Sequence, residues 1–218
     1  MEVRKARLEE FYDIMNIYHY AQKRMIAMGN PDQWSDVYPN PLMVHEDIET
    51  ERSYVLCEGD KLCGVFVFII GDDPTYRRIE GGHWLNDEPY GVIHRIAAAE
   101  GCKGILENAL AWAEQQIGNI RIDTHEANLI MQYLLEKLGY TICGTIYIDD
   151  GSPRIAYQKR TSVAVTRGEM KINDIGERLR MQFVDAGNRI GRAVIEADFK
   201  GLEINGEKED DGDPPPEL

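Results

Sequence analysis

Residues 90–140 constrain the fold of this chain more than any other stretch. They alternate a strand, a glycine-bearing turn, an amphipathic helix, a second strand and a second helix. The first strand reads Gly91-Val92-Ile93-His94-Arg95-Ile96-Ala97, and the turn reads Glu100-Gly101-Cys102-Lys103-Gly104-Ile105. Residues 103–117 carry apolar side chains at Ile105, Ala109, Trp112, Ala113 and Ile117, the spacing of one helix face. Residues 119–124 form a short strand. Residues 128–138 set Met131, Leu134, Leu135 and Leu138 on one side, and Gly139 supplies a left-handed stop. A glycine turn that runs into a helix start presents unpaired N–H groups and the positive end of the helix dipole. That is a receptor for a pyrophosphate.

The flanking segments build a sheet around this unit. Residues 3–6 read as an edge strand. Residues 8–28 show helical spacing at Leu8, Phe11, Ile14, Met15, Tyr18, Ala21 and Met25, ended by Gly29-Asn30-Pro31. A loop with Trp34 and Tyr38 follows, then a short helix over residues 42–51. Residues 53–57 and 62–70 are strands joined by Glu58-Gly59-Asp60-Lys61. The run Val65-Phe66-Val67-Phe68-Ile69-Ile70 is too apolar for a half-exposed strand and belongs in a sheet covered on both faces. Within residues 72–89, residues 76–79 read as a strand broken by Gly81-Gly82. Residues 141–148 and 154–158 are strands around a turn at Asp149-Asp150-Gly151-Ser152-Pro153.

The composition changes near residue 160, so residues 1–160 form one domain and residues 161–218 an extension. Within the extension, residues 174–199 show a second helical pattern that includes Ile175, Leu179, Phe183 and Ile190. It buries too little alone to be a domain. It would pack on the first domain or on a second copy, which leaves a homodimer open. Residues 207–218 are acidic and end Pro-Pro-Pro-Glu-Leu, the composition of a disordered tail.

A formal net charge of −14 argues against nucleic acid as a partner, because phosphate binding needs clustered Lys and Arg. It suits cationic substrates such as amines. No apolar run reaches the roughly 18–20 residues that span a bilayer. The start Met-Glu-Val-Arg-Lys-Ala-Arg has no apolar signal core behind it, so the expected compartment is the cytoplasm with no membrane partner. The cysteines Cys57, Cys63, Cys102 and Cys143 form no C-x-x-C pair and no zinc spacing with His, so no metal site is expected. Cys57 and Cys63 fall in adjacent strands, which allows contact between them.

The order of elements over residues 1–160 resembles the acyl-CoA-binding core of the GNAT superfamily of N-acetyltransferases. In that family a Q/R-x-x-G-x-G/A turn holds the CoA pyrophosphate. The matching window here is Gly101-Cys102-Lys103-Gly104-Ile105-Leu106. Gly104 takes the central glycine, Gly101 replaces the basic or amide residue, and Leu106 replaces the last small residue. The second helix resembles the family's N-x-x-A-x-x-L-Y-x-K-x-G-F pattern at Asn128, Leu134, Lys137 and Gly139, with Tyr140 for Phe and Met131 for Ala. Leu135 stands where many members carry the Tyr that protonates the departing thiolate.

The resemblance implies a mixed, twisted α/β sheet of about six or seven strands with helices on both faces. It implies acetyl-CoA as cosubstrate and a small-molecule or peptide amine as acceptor. It places Ile96, Ala97, Ala98, Cys102, Lys103, Gly104, Ile105, Leu106 and Asn128 against the cosubstrate, Asn128 serving equally as a helix N-cap. Gln33, Trp34 and His94 would wall the acceptor pocket. A neutral imidazole takes a proton from an ammonium near pH 7. That makes His125 the candidate base or relay, tuned by Asp123 or Glu126, while His83 lies in the irregular segment upstream. With Leu135 in the tyrosine position, the thiolate would be protonated by solvent or by Tyr133. The alternative is a domain that binds acyl-CoA without turnover, or that scaffolds a partner.

Overall fold

The structure, a computed structural model, describes residues 1–34 and 37–161. The expected helix over residues 174–199 and the acidic tail lie outside the described residues. The elements are β1 (Glu2–Lys5), α1 (Phe11–Ala27), α2 (Pro41–Glu49), β2 (Ser53–Glu58), β3 (Lys61–Ile70), β4 (Gly91–Ala98), α3 (Ile105–Gln116), β5 (Asn119–Thr124), α4 (Leu129–Lys137), β6 (Thr141–Tyr147) and β7 (Pro153–Arg160). The strands form one seven-stranded mixed sheet in the order β1-β2-β3-β4-β5-β7-β6. Neighbours pair antiparallel except β4 and β5, the parallel pair joined through α3.

Strand alternation sorts the sheet residues to two faces. Phe66, Phe68, Ile93, Ile120, Ile122 and Tyr157 pack under Ile105, Ala109, Leu110 and Ala113 of α3 and Leu135 of α4. Val55, Val65 and Ala97 pack on the other face against Ile14, Met15 and Tyr18 of α1 and Val44 and Ile48 of α2. The apolar run of β3 is therefore covered on both sides, as its composition demands. Cys57 belongs to the cluster under α1 and Cys63 to the cluster under α3, so the two thiols sit on opposite faces. The contact that adjacent strands allowed is lost because β2 and β3 shift register between Leu56 and Cys57. Cys63 instead meets Cys102; burial and that neighbour push its thiol up to about 11.

Among the described residues, no third helix covers the end of the sheet formed by β5, β7 and β6 on the α1 face. Residues 71–90 do so as an irregular strap, with Tyr76 and Tyr90 packed on Val92, Ile146 and Ala156. The expected strand at residues 76–79 is corrected here. Pro74–Tyr76 is a 3₁₀ turn capped by Asp73, whose side chain accepts from the Thr75 N–H. Aspartate followed by proline at the first helical position favours that turn.

Candidate active site

Two irregularities of β4 open the middle of the sheet. The first is its pairing with β5, which comprises only Gly91↔Ile120 and Val92↔Arg121. Beyond Val92 the strands part, and the side of β4 that faces β5 has no strand partner among the described residues. The second is a bulge. Val67 pairs with His94 but Val65 pairs with Ala97, so β4 carries an extra residue against β3. Arg95 lies in this bulge with φ 49, a left-handed conformation at a non-glycine residue.

The parted edge leads to the glycine turn. Gly101 and Gly104 both have φ 74, and the Cys102 N–H returns to the Ala99 carbonyl at 3.1 Å. Gly104 is the N-cap of α3, and no side chain caps this helix. The helix ladder begins with the Asn108 N–H on the Gly104 carbonyl at 3.1 Å, so the first-turn amides of Ile105, Leu106 and Glu107 have no partner within the helix. Lys103 is exposed beside them. Ile96, Ala98 and Cys102 face the α3 side of the opening and Ala97 the α1 side.

Past the split, the α1 face holds a titratable cluster. His94 Nε2 lies 2.7 Å from Asp73 Oδ2. Burial opposes ionisation of Asp73, yet hydrogen bonds from His94 and Thr75 hold its carboxyl down at about 2. The Tyr76 hydroxyl donates to Asp123 Oδ1 at 2.7 Å. Burial and the Asp123 charge push the Tyr76 phenol well up, so it stays a donor. Burial also raises the Asp123 carboxyl above its ordinary value, against the charges of His94 and Arg154. Asp123 therefore belongs to Tyr76 and not to His125, whose Nδ1 accepts from the Ala127 N–H at 3.2 Å.

Gln33 ties the loop after α1 to this region. Its Oε1 accepts from Asn128 Nδ2 at 2.8 Å and from Asn30 Nδ2 at 2.7 Å. Its backbone carbonyl accepts from Arg154 at 3.2 Å. Trp34 packs edge-on to Tyr18 and Tyr38. Asn128 is the N-cap of α4 through the Met131 N–H, which leaves one of its amide hydrogens for a ligand. Trp34, His94 and the Gln33 carbonyl bonded to Arg154 lie on the α1 side of the sheet. Tyr133 is 64% exposed and roughly 200° around α4 from the fully buried Leu135, so it points to solvent. Leu135→Tyr should not supply the missing hydroxyl. It should overpack the core by about 1–3 kcal/mol, a loss that thermal melting would register.

Sequence reasoning missed Asp73, Tyr76 and the anchors of Arg95. The Asp73-Pro74-Thr75 cap was a usable signal. The partners of Arg95 had none, because they are distant in the chain.

No family model and no curated protein matches the sequence. Solved structures do match. A GNAT-family acetyltransferase from Streptococcus agalactiae is 32% identical, with a TM-score of 0.66, over 74% of this chain and 95% of its own length. A GNAT-family acetyltransferase from Listeria monocytogenes, 20% identical over 73% of this chain and 94% of its own, shares the fold with a TM-score of 0.55. The parted strands, the uncapped glycine turn and this degree of identity agree: the chain belongs to the GNAT family of acetyltransferases.

Proposed function

We propose that this chain transfers the acetyl group of acetyl-CoA to an amine of a small molecule or a peptide. The observation that carries the reading is the parting of β4 from β5 beside an uncapped glycine turn. An extended ligand can add to the free edge of Ile93–Ala98 as a strand would, its amides pairing with the backbone. Its pyrophosphate then meets the amides of residues 102–106.

In this proposal the amine arrives from the α1 face, past Gln33, Trp34 and His94. Asp123 takes the ammonium proton, because burial raises its basicity toward the working pH. The freed nitrogen attacks the thioester carbonyl, whose oxygen is held by a backbone N–H of β4. The C–N bond forms, the C–S bond breaks, and the thiolate takes a proton from solvent. His125, just past the end of β5, is the alternative acceptor of that proton. His125→Ala should lower kcat by less than ~10²-fold, since a positioned base itself contributes 10²–10⁴-fold. A larger loss, with acetyl-CoA affinity intact, would make His125 the base instead.

Incubation of the pure protein with acetyl-CoA and a panel of amines tests the reading, by thiol release and by mass spectrometry of the products. Acetylated product supports it. Stabilisation by acetyl-CoA without thiol release favours a binding module that does not turn over, the reading to which the buried Leu135 in place of a tyrosine lends weight.

A further inference from the structure

Arg95 joins the bulge of β4 to the acceptor side of the molecule. Its φ of 49 is uncommon for a residue with a Cβ and persists only where the surroundings hold it. Nη2 donates to Asp47 Oδ1 at 2.9 Å and lies 2.8 Å from Oδ2. Nη1 donates to the Tyr38 hydroxyl at 3.4 Å. The Arg95 and Asp47 side chains are 13% and 11% exposed. Asp47 belongs to α2, and Tyr38 to the loop between α1 and α2 that also carries Gln33 and Trp34.

A buried ion pair is weak support for stability, because desolvation offsets the attraction. It can instead secure one geometry. The geometry at stake is the corner of β4 just past its last pair with β5, where the strand edge is free. We propose that Arg95 is a positioning residue for acyl transfer: its side chain, clamped by Asp47 and Tyr38, fixes the left-handed corner that aims the following backbone N–H groups into the split. The inference rests on the acyl-transfer reading and deepens it. It makes the aim of those amides depend on α2 and the acceptor loop, so an acceptor that settles the loop also settles the group that polarises the thioester.

Two substitutions separate the corner from its clamp. Arg95→Gly removes the clamp while glycine adopts a positive φ freely. Asp47→Asn keeps the shape of the partner and removes its charge. The first readout is the infrared carbonyl band of bound [1-¹³C]acetyl-CoA, which needs no turnover. The second is kcat against KM with an amine that the wild type accepts. Both variants should bind acetyl-CoA within about 3-fold of wild type, with the band returned toward its frequency in solution. Their kcat should fall roughly 10–100-fold, the size expected of a small misplacement. Arg95→Lys keeps the charge and should recover part of the shift.

A purely structural role would lower the melting temperature and leave the band of the bound fraction unmoved. A wild-type band in both variants, with kcat within about 3-fold, would overturn the inference. If Arg95→Gly does not fold, Asp47→Asn decides by the same two readouts. Wild-type protein that binds acetyl-CoA, shows the shifted band and yields no product defeats the acyl-transfer reading alone. Wild-type protein that does not bind acetyl-CoA overturns both.

Discussion

Gly104→Val should abolish acetyl-CoA binding, whereas Lys103→Ala should weaken it by only a few-fold. The difference follows from what each residue supplies. Gly104 has φ 74 at the entry to α3, a conformation costing an L-residue about 1–2 kcal/mol and a β-branched one more. Space is not the obstacle, since an added Cβ would lie 3.4 Å from Asn108 Nδ2. A valine would leave the left-handed region, and the change of backbone direction would swing the first-turn amides of α3 away from the anion. Lys103 offers only an exposed, salt-screened charge. Calorimetric titration with acetyl-CoA distinguishes the two, with Gly104→Ala as the milder variant. Unchanged affinity in Gly104→Val would remove this turn from the cosubstrate site.

Asp123→Asn should cost about 10²–10⁴-fold in kcat and at the same time raise the melting temperature. The loss comes from removing the acceptor of the ammonium proton. The gain comes from linkage. Burial raises the folded-state pKa of Asp123 above its unfolded value of about 3.9, so the folded chain holds this proton more tightly than the unfolded one. Its contribution to stability is fully present below the unfolded value and is lost as pH rises through the raised one. Once ionised, Asp123 is a disfavoured charge in the native protein that asparagine removes, while the side-chain oxygen still accepts from Tyr76. For the same reason the wild-type rate should climb with pH through the raised pKa. The rate deficit of the variant should shrink at high pH, where more of the amine is already neutral. Wild-type turnover in Asp123→Asn would return this carboxylate to a structural role.

The elements around the split were legible because each rests on local pattern. The stripe Ile105, Ala109, Trp112, Ala113 and Ile117 does pack into the core under α3, and the glycine turn does open a helix. The apolar run of β3 announced two covered faces. What escaped the sequence depends on partners far apart in it. Arg95 looks like an ordinary strand residue until Asp47, 48 positions earlier, is brought against it. Asp123 neighbours His125 in sequence, but Tyr76 claims it from 47 positions away. The strap over residues 71–90 lacks a repeating period, so only its turn chemistry at Asp73-Pro74 was readable.

The narrow seam between β4 and β5 also makes the sheet two wings. β1–β4 form one, β5, β7 and β6 the other, and two residue pairs stitch them together. α3, α4, the strap of residues 71–90 and the bonds of Gln33 to Asn128 and Arg154 also join them. Amide exchange should therefore be uneven across strands of similar burial, fastest along the unpaired edge of Ile93–Ala98 and slow in the interior of β3. A cosubstrate lying in the seam, as proposed, would act as the missing strand, and at 100 times its Kd would add about 2.7 kcal/mol to the folded state. On the proposed reading the architecture would tie the lifetime of this protein to the supply of its donor: the starved form would open first, along the line where the chemistry would occur.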